Sequence, residues 1–467
     1  MRDGENNVIK IDTEMKYQTI IGWGTSLAWW GKLVGEWSDE KRKEILELAF
    51  HKKNGLGLNL VRYNIGGSKS KNDMNLRYGA DIESFLLEDG TYDWSKDKGQ
   101  RYILNEAKKI IEKGGDAFIS EAFSNSPPYF MTKNGYVSGA KDGGSNLKDE
   151  EYENFVSYLV NVLKHFRDEW NIKFDTIDPL NEPSSNWWKE GNIQEGCAFK
   201  LPSEKDRIYG LLKKELYDKK LSTKISGFDE TSIDETINTI NNASDETIDL
   251  IDQINTHEYA GRKRLELRYL AKSLGKTLYM NEMCCSGGAS HNHDDMDNGL
   301  KLAQYIFSDL RDMKVPAWYI WQVVDDEDMN IKNNSNWGLI SAHWSGENKE
   351  KYYVTKQYYA MAHFSRFIRP GYEIVYSSDF DTVAAVDEND DRLVIVIKND
   401  EVFSKEISFD ISSKNTDSLS ISPLKVCGYR TSASENLEEV KGLEIESGIL
   451  NDKLPGKSIV TYVICKN

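Results

Sequence analysis

The sequence is poor in residues that cross-link a chain or anchor it in a membrane. Only 5 of its 467 residues are cysteine, an odd number, and Cys284 and Cys285 are adjacent. This pattern predicts mostly free thiols, leaves one disulfide possible, and excludes a scaffold held together by disulfides. No run approaches the roughly 18 consecutive apolar residues of a membrane-spanning helix. A chain of this length must therefore be stabilised by a large buried core.

Positive charge is also in deficit. The chain has 59 Lys and Arg against 76 Asp and Glu, which gives a formal net charge of −17. This charge argues against nucleic acid or an anionic membrane as a partner, and suits a neutral or cationic ligand. The first ten residues lack an apolar segment and are not a signal peptide. We expect a secreted or cell-surface protein without its signal peptide, with a cytoplasmic location as the alternative.

Short apolar runs alternate with helical patterns along most of the chain. Eight such runs begin near residues 19, 57, 117, 174, 224, 251, 277 and 316. Regular alternation over about 300 residues implies a parallel sheet, and eight units imply a closed (β/α)8 barrel. The alternative is an open doubly wound sheet with a glycine-rich phosphate loop after the first strand. Trp23 between Gly22 and Gly24 would block a pyrophosphate there, which favours the barrel.

The helical pattern stops after Pro370. Asp381–Lys398 is typical of a hairpin turned at Asn389–Asp391, and further strands are predicted at residues 404–411, 424–430 and 457–464. We predict an all-β sandwich as a side domain. The unpaired strand near residues 7–14 needs a partner sheet, which this domain could supply. The predicted division is a barrel over residues 19–363 and a side domain made of residues 1–18 and 364–467.

Two predicted strands end in an Asn-Glu pair. Phe174–Pro183 ends in Asn181 and Glu182, because Pro183 cannot continue a strand ladder. Thr277–Met280 leads into Asn281 and Glu282. Reactive groups of barrel enzymes lie at the carboxyl ends of the strands, and these are strands four and seven. Two carboxylates about 5 Å apart there would suit retaining hydrolysis of a glycosidic bond, one as acid and one as nucleophile. The alternative is two surface glutamates at turns.

Other strand ends and loops supply candidates for binding a polyol. Arg62 and Tyr259 could hold Glu282, although Arg62 could instead form a structural ion pair. His257 could simply pack, and Glu230 could cap the next helix. In each of the pairs Trp29–Trp30 and Trp187–Trp188, one ring is expected in the core and the other as a platform. The candidate substrate-binding residues are Trp30, Arg62, Asn125, Asn181, Trp188, Glu230, His257, Tyr259 and Trp321.

We predict neither a metal site nor a cofactor. The acidic and histidine-containing stretch from His291 to Asp297 lacks the ligand spacing of a zinc or calcium site, and is typical of a solvated loop.

Several of these segments resemble glycoside hydrolase family 30, and most closely its endo-β-1,6-galactanase group. They are GWGTSLAWW (22–30), LVRYNIG (60–66), FSNSP (123–127), PLNEPSSNWW (179–188), QEGC (194–197), DETS (229–232), WGLI (337–340) and FSRFIRPG (364–371). The Asn-Glu-Pro motif alone occurs across many retaining barrels, whereas the combination with GTSLAWW and QEGC is specific. The resemblance covers the barrel and the start of the side domain.

The resemblance implies Glu182 as the general acid/base, Glu282 as the nucleophile, and Asn181 at the sugar 2-hydroxyl. The implied substrate is β-1,6-galactan, as found on arabinogalactan side chains. The alternatives are another glycanase of this family (β-1,6-glucanase, glucosylceramidase-like or xylanase-like) and a non-catalytic carbohydrate-binding barrel. The sequence departs from the family at Met283 and Cys284 after the nucleophile, and in the insert at Ser286–Asp297.

Overall fold

The computed structural model describes residues 8–69, 76–284, 290–387, 391–412 and 424–466. Cys285, the glycine-rich turn at 286–288 and the expected turn residues Asn389 and Asp390 lie outside this part. Of the cysteines within it, Cys197, Cys427 and Cys465 are free thiols. None of the helices in the described ranges combines the length and the apolarity that crossing a membrane requires.

A long first strand, β1 (Val8–Thr19), precedes a closed parallel barrel of eight strands. The barrel strands are β2 (Gly22–Ser26), β3 (Leu60–Asn64), β4 (Ile119–Phe123), β5 (Thr176–Asp178), β6 (Lys224–Ser232), β7 (Gln253–Ala260), β8 (Thr277–Met283) and β9 (Ala317–Ile320). Each falls on one of the eight predicted strands. The barrel closes where β2 pairs with β9, and the open-sheet alternative is wrong. Gly24 is needed at this seam, because a Cβ there would overlap the ring of Tyr319.

Helices cover the outside of the barrel. They are α1 (Trp30–Gly35), α2 (Asp39–Phe50), α3 (Lys98–Lys113), α4 (Tyr152–Glu169), α5 (Pro202–Asp218), α6 (Ile233–Asn242), α7 (Asp245–Leu250), α8 (Arg264–Ser273), α9 (Met296–Ser308), α10 (Glu327–Asn333) and α11 (Lys356–Ser365). Helix α4 buries residues with helical spacing, such as Phe155, Leu159 and Phe166, against the strands. Short single turns occur at Tyr129–Met131, Asp149–Glu151 and Asp309–Met313.

A small sheet extends the eighth barrel unit above the mouth. It consists of β10 (Val324–Asp326), β11 (Ile340–Ala342) and β12 (Tyr352–Val354). Strand β10 pairs in parallel with β11, and Asp325 is opposite Ser341. Residues just after β9 are thereby held in a regular sheet beside the barrel opening.

The remaining strands form a second sheet with its own buried core, which includes Ile11, Ile395 and Phe409. They are β13 (Glu373–Ser377), β14 (Thr382–Asp387), β15 (Arg392–Asn399), β16 (Lys405–Asp410), β17 (Leu424–Thr431), β18 (Glu438–Val440), β19 (Ile445–Glu446), β20 (Ile449–Leu454) and β21 (Ser458–Lys466). Strand β1 lies between β13 and β16, so all ten strands belong to one curled sheet. The predicted fold class, a (β/α)8 barrel with an all-β side domain, is confirmed. The division at residues 19 and 363 stays a prediction.

A buried histidine joins helix α11 to the side sheet. His363 is fully buried, with Nδ1 2.8 Å from Thr461 Oγ1 and Nε2 2.9 Å from Thr431 Oγ1. Burial lowers the pKa of His363 to about 3, so the ring is neutral at ordinary pH. A neutral imidazole can donate to one hydroxyl and accept from the other, which satisfies both ring nitrogens.

His363→Ala should destabilise the protein by about 2–4 kcal/mol, because it leaves a cavity and removes both hydrogen bonds. The unfolded chain takes up a proton near pH 6.5, whereas the folded chain does so only near pH 3. The free energy of unfolding of the wild type therefore falls as the pH drops below 6.5. The gap in unfolding free energy between the wild type and the variant should narrow as well. Urea unfolding at pH 7.5 and 5 measures this gap. His51→Ala, at a partly exposed histidine, is the control, and a gap independent of pH would contradict the prediction.

Candidate active site

A cleft of about 300 Å³ opens at the carboxyl ends of the barrel strands. Both glutamates from the Asn-Glu pairs lie on its floor. Aromatic, amide and charged side chains form its walls. The lining residues are Trp29, Arg77, Asn125, Asn181, Glu182, Trp187, Trp188, Gln194, Glu195, Thr231, Tyr259, Glu282, Cys284, Trp321, Gln322 and Trp337.

Glu182 follows β5 in a strained conformation. Its φ of 47° lies in the left-handed region, which non-glycine residues rarely adopt. Two contacts fix this turn: its N–H donates to the Asp229 carbonyl at 2.8 Å, and its carbonyl accepts from Trp188 Nε1 at 2.9 Å. The carboxylate is consequently held in the cleft with only 5% of the residue exposed.

Glu282 is the penultimate residue of β8 and accepts two hydrogen bonds. Arg62 Nη1 donates to Oε2 at 2.9 Å, and the Tyr259 hydroxyl donates to Oε1 at 3.0 Å. Burial raises the pKa of Glu282, while His257 and Arg62 oppose that rise. Both donors favour the ionised form of this carboxyl group.

The two carboxylates face each other across the cleft floor. Glu182, His257 and Glu282 each offer an oxygen or nitrogen atom, and these atoms lie within 4.8 Å of one another. This spacing matches the roughly 5 Å between the paired carboxyls of retaining glycosidases, and is shorter than the spacing that leaves room for an inverting water. The arrangement can support attack by one carboxylate while the other exchanges a proton.

Arg62 lies beneath Glu282 and is fully buried. Its Nε donates to Glu121 Oε1 at 3.0 Å, and its Nη2 donates to Asp229 Oδ2 at 2.7 Å. Its guanidinium also stacks on Phe123 at 4.2 Å. Burial alone would lower the pKa of Arg62, but Asp229 and Glu121 raise it further, so the side chain is a fixed positive charge.

Glu121 is a functional residue that the sequence analysis missed. Its Oε1 accepts from Arg62 and Asn281, and its Oε2 accepts from four further donors. These are Thr176, Ser226, Gln253 and Asn255. The available signal was an acidic residue in the middle of the otherwise buried strand β4. Glu121 links Arg62 to the neighbouring strands.

His257 bridges two carboxylates. Its Nδ1 is 3.0 Å from Glu182 Oε1, and its Nε2 is 2.9 Å from Asp229 Oδ1. Burial alone would lower the pKa of His257, but Asp229 and Glu282 raise it well above its usual range. For Asp229, Arg62 and His257 outweigh burial and lower the pKa to about 2.

The trio of Glu182, His257 and Glu282 has the atom types of a metal site. Its hydrogen bonding does not suit one, because an imidazolium that donates from both nitrogens has no lone pair for a metal. We therefore interpret the trio as a proton-transfer group.

Five of the nine candidate substrate-binding residues line the cleft: Asn125, Asn181, Trp188, Tyr259 and Trp321. Arg62 and His257 are fully buried beneath it, where they contact the two glutamates. They can act on a sugar only through those carboxylates.

Two candidates lie elsewhere and are corrected. Trp30 is fully buried, donates to the Ser26 carbonyl and stacks on Phe50, whereas its neighbour Trp29 lines the cleft. Glu230 accepts from Ser184, Thr239 and Lys205 in the helix layer. Side chains alternate along a strand, so Glu230 faces outward where Asp229 faces inward. Glu230 caps no helix, since Ser232 is the N-cap of α6.

The Gln194–Cys197 segment forms part of the wall. Glu195 lines the cleft and accepts from Ser68 Oγ at 2.7 Å and from Asn64 Nδ2 at 3.1 Å. Burial raises the pKa of Glu195 to about 8. A Cβ at position 196 would overlap the ring of Trp188, so glycine is required there. The motif was recognised in the sequence, but Glu195 was not identified as a cleft residue.

Comparison with known proteins is consistent with this geometry. The family model O-Glycosyl hydrolase family 30 matches residues 6–272. The chain is 28% identical to an endo-β-1,6-galactanase of Hypocrea rufa, over 98% of this chain and 95% of that protein. It is 23% identical to an exo-β-1,6-galactobiohydrolase of Bifidobacterium longum subsp. longum, over 72% of this chain but 29% of that protein.

The fold also matches solved structures. The catalytic domain of GH30 xylanase C from Talaromyces cellulolyticus superposes with a TM-score of 0.73 at 20% identity, covering 98% of this chain and 100% of that chain. At that identity the match supports the architecture alone.

Glu195→Gln should make stability less sensitive to pH. The folded protein keeps the Glu195 proton up to about pH 8, whereas the unfolded chain releases it near its usual value of 4.5. Wild-type stability should therefore fall between pH 5 and 8, relative to the neutral and isosteric glutamine. Thermal melts across this range should show the variant gaining a few degrees on the wild type. Glu47→Gln, at an exposed glutamate, is the control, and a constant difference would contradict the assigned shift.

Proposed function

This chain belongs to O-glycosyl hydrolase family 30, and we propose that it is a retaining glycosidase that cleaves β-1,6-linked galactan. The observation that carries the proposal is the pair of carboxylates at the barrel mouth, with atoms of Glu182 and Glu282 within 4.8 Å of each other. Their surroundings differ, which lets them take different roles.

In the first step, Glu282 attacks the anomeric carbon and forms a glycosyl ester, and the bond to the departing sugar oxygen breaks. Glu182 gives its proton to that oxygen. In the second step, Glu182 takes a proton from water, and the resulting hydroxide displaces Glu282. Two inversions at the same carbon leave its configuration unchanged, and both carboxyl groups return to their starting forms.

The hydrogen bonds around each carboxylate support this division of roles. Glu282 receives donors from Arg62 and Tyr259, which hold it ionised and aimed. Glu182 instead contacts His257 at 3.0 Å. The pKa of His257 is raised well above its usual range, so the ring holds a proton at this contact. That proton can pass to Glu182 and from there to the leaving group.

The choice of galactan rests on relatives and on the walls of the cleft. Both curated relatives described above are named for acting on β-1,6-galactan. Trp29, Trp187, Trp188, Trp321 and Trp337 offer aromatic faces to sugar C–H groups, and the net charge of −17 suits a neutral polymer. An extracellular location, where such polymers occur, is part of this proposal.

A substrate panel tests the proposed specificity. Debranched arabinogalactan should release short β-1,6-galactooligosaccharides, and faster than β-1,6-glucan or glucuronoxylan releases its own products. Reducing-end assays and product mass spectrometry measure this. Preference for another polymer would replace galactan by that substrate within the same family. Binding without turnover on any of them would instead favour the non-catalytic barrel.

In the presence of azide, the two variants that each lack one carboxylate should form galactosyl azides of opposite anomeric configuration. In Glu282→Ala, hydrolysis should stop, and azide can attack from the vacated face to give an α-galactosyl azide. In Glu182→Ala, the ester still forms from an activated aryl galactoside, and azide then displaces Glu282 to give the β-anomer. Proton NMR of the products distinguishes the two anomers.

Glu182→Ala should also lose far more activity on substrates with poor leaving groups than on activated aryl galactosides, since only the former need the acid. Equal losses on both would contradict the acid/base role. Glu47→Ala, which removes an exposed carboxylate, should leave both rates unchanged.

A further inference from the structure

One tryptophan at the edge of the cleft is exposed. Trp187 has 44% of its surface in solvent, which makes it the most exposed large apolar side chain among the cleft-lining residues that the structure describes. Trp29 and Trp321 are almost fully buried, and Glu182 and Glu282 are each only 5% exposed. Trp187 therefore forms part of the rim of the cleft, whereas the two carboxylates lie on its floor.

Trp187 belongs to the Glu182 side of the cleft, because both lie in the loop between β5 and α5. Its ring packs against Trp188 with the centroids 5.9 Å apart, and Trp188 Nε1 donates to the Glu182 carbonyl at 2.9 Å. On the other side, the main-chain N–H of Trp321 donates to the Met283 carbonyl at 2.7 Å, next to Glu282. Trp187 is thus connected, through one neighbour, to the turn that carries the proposed general acid.

The two carboxylates contact different parts of the substrate in the first reaction step. Glu282 bonds to the anomeric carbon of the sugar that stays on the enzyme, whereas Glu182 protonates the oxygen that leaves with the other sugar. The reacting carbon must lie at the floor, within reach of both groups. The departing sugar is attached on the Glu182 side and extends outward from there, toward the rim that carries Trp187.

An exposed indole face is chemically suited to a galactosyl unit. The 4-hydroxyl of galactose lies on one face of the sugar ring, and the C–H groups of carbons 3, 4 and 5 form an apolar patch on the opposite face. Stacking this patch on an indole removes apolar surface of both groups from water. Trp187 can make this contact without moving, since its ring already faces solvent at the rim.

Hydrogen bonds on both sides of Trp187 hold its loop in place. Asn192 Nδ2 donates to the Trp187 carbonyl at 2.8 Å, and Lys200 Nζ donates to Asn186 Oδ1 at 3.0 Å. A platform that is ordered before the sugar arrives loses less conformational entropy on binding.

We propose that Trp187 is the platform for the first galactosyl unit of the departing chain, and that it also binds a sugar that replaces water in the second step. In this transfer, a hydroxyl oxygen of the incoming sugar bonds to the anomeric carbon, its proton passes to Glu182, and the bond to Glu282 breaks. The product is a longer galactoside, and both carboxyl groups return to their starting forms. This inference rests on the proposed galactanase function.

The test compares two substrates that differ in what departs. β-1,6-Galactan releases a sugar, whereas β-1,6-galactobiosyl fluoride releases fluoride, which has no ring to stack. Trp187→Ala removes the platform, and Trp187→Phe keeps an aromatic face. The control is Tyr217→Ala, which removes a ring that is 82% exposed near the end of α5 and is not among the cleft-lining residues.

In Trp187→Ala, kcat/KM for galactan should fall at least about tenfold and that for the fluoride should stay within about twofold, because only the polymer loses a contact. Trp187→Phe should keep most of the galactan activity, and Tyr217→Ala should match the wild type on both substrates. A melting curve identifies an unfolded variant, and Trp187→Leu, which also lacks a flat ring, then takes its place.

An added acceptor tests the second part of the proposal. With methyl β-galactoside in the fluoride reaction, the wild type should form a transfer product as well as the hydrolysis product, and chromatography measures their ratio. This ratio should fall in Trp187→Ala, because the acceptor loses its platform while water does not.

Equal losses on galactan and on the fluoride would indicate a structural role through the Glu182 turn, and would overturn the platform while leaving galactanase activity in place. An unchanged galactan rate in Trp187→Ala would overturn it as well, and a wild type without transfer product would overturn the acceptor role. A wild type that does not hydrolyse galactan is a separate outcome, visible before any variant is made. It would overturn the proposed substrate and this inference together.

Discussion

The buried guanidinium of Arg62 is the contact on which both fold and chemistry depend. It extends from β3 to Glu121 on β4, Asp229 on β6 and Glu282 on β8, so one side chain joins four of the eight barrel strands. Burying a charge is costly unless it is paired and fully hydrogen-bonded. The hydrogen-bond donors that surround Glu121, and the contact of His257 with Asp229, meet that condition. Arg62 also fixes the position of Glu282, so the contacts that stabilise the barrel position the proposed nucleophile as well.

The carboxyl groups around Arg62 outnumber the cations, and the structure offsets this in two ways. Asp229 and Glu282 raise the pKa of His257 against the effect of burial, so the ring is cationic. Burial, together with Asp229 and Glu121, raises the pKa of Asp178 well above its usual range, which keeps that group neutral. The carboxyl groups that stay ionised are then those that contact Arg62 or His257. The donors from Arg62 and Tyr259 favour the ionised form of Glu282 within this balance.

The sequence was sufficient for the barrel and for the two facing glutamates, because both follow from local patterns. Barrel strands are short apolar runs, and Pro183 marks where one of them must stop. It was insufficient wherever the direction of a side chain depends on packing. Trp29 and Trp30 are adjacent, yet the turn into α1 sends Trp30 to Phe50 and leaves Trp29 in the cleft. Glu121 escaped notice because an acid inside a strand makes sense only when its six donors, drawn from other strands, are known.

The residues proposed for the reaction and the other residues that line the cleft also lie in different parts of the fold. Arg62, Tyr259, His257 and Glu282 lie on barrel strands, whose hydrogen-bonded registers fix their mutual distances. Arg77 and Glu195 lie on loops, which are held to each other by one backbone hydrogen bond between Arg77 and Ile193. Changes in these loops can alter which sugar is bound without moving the carboxylates. Substrate choice can therefore vary among barrels that share one reaction, and a reaction type is easier to infer from sequence than a substrate.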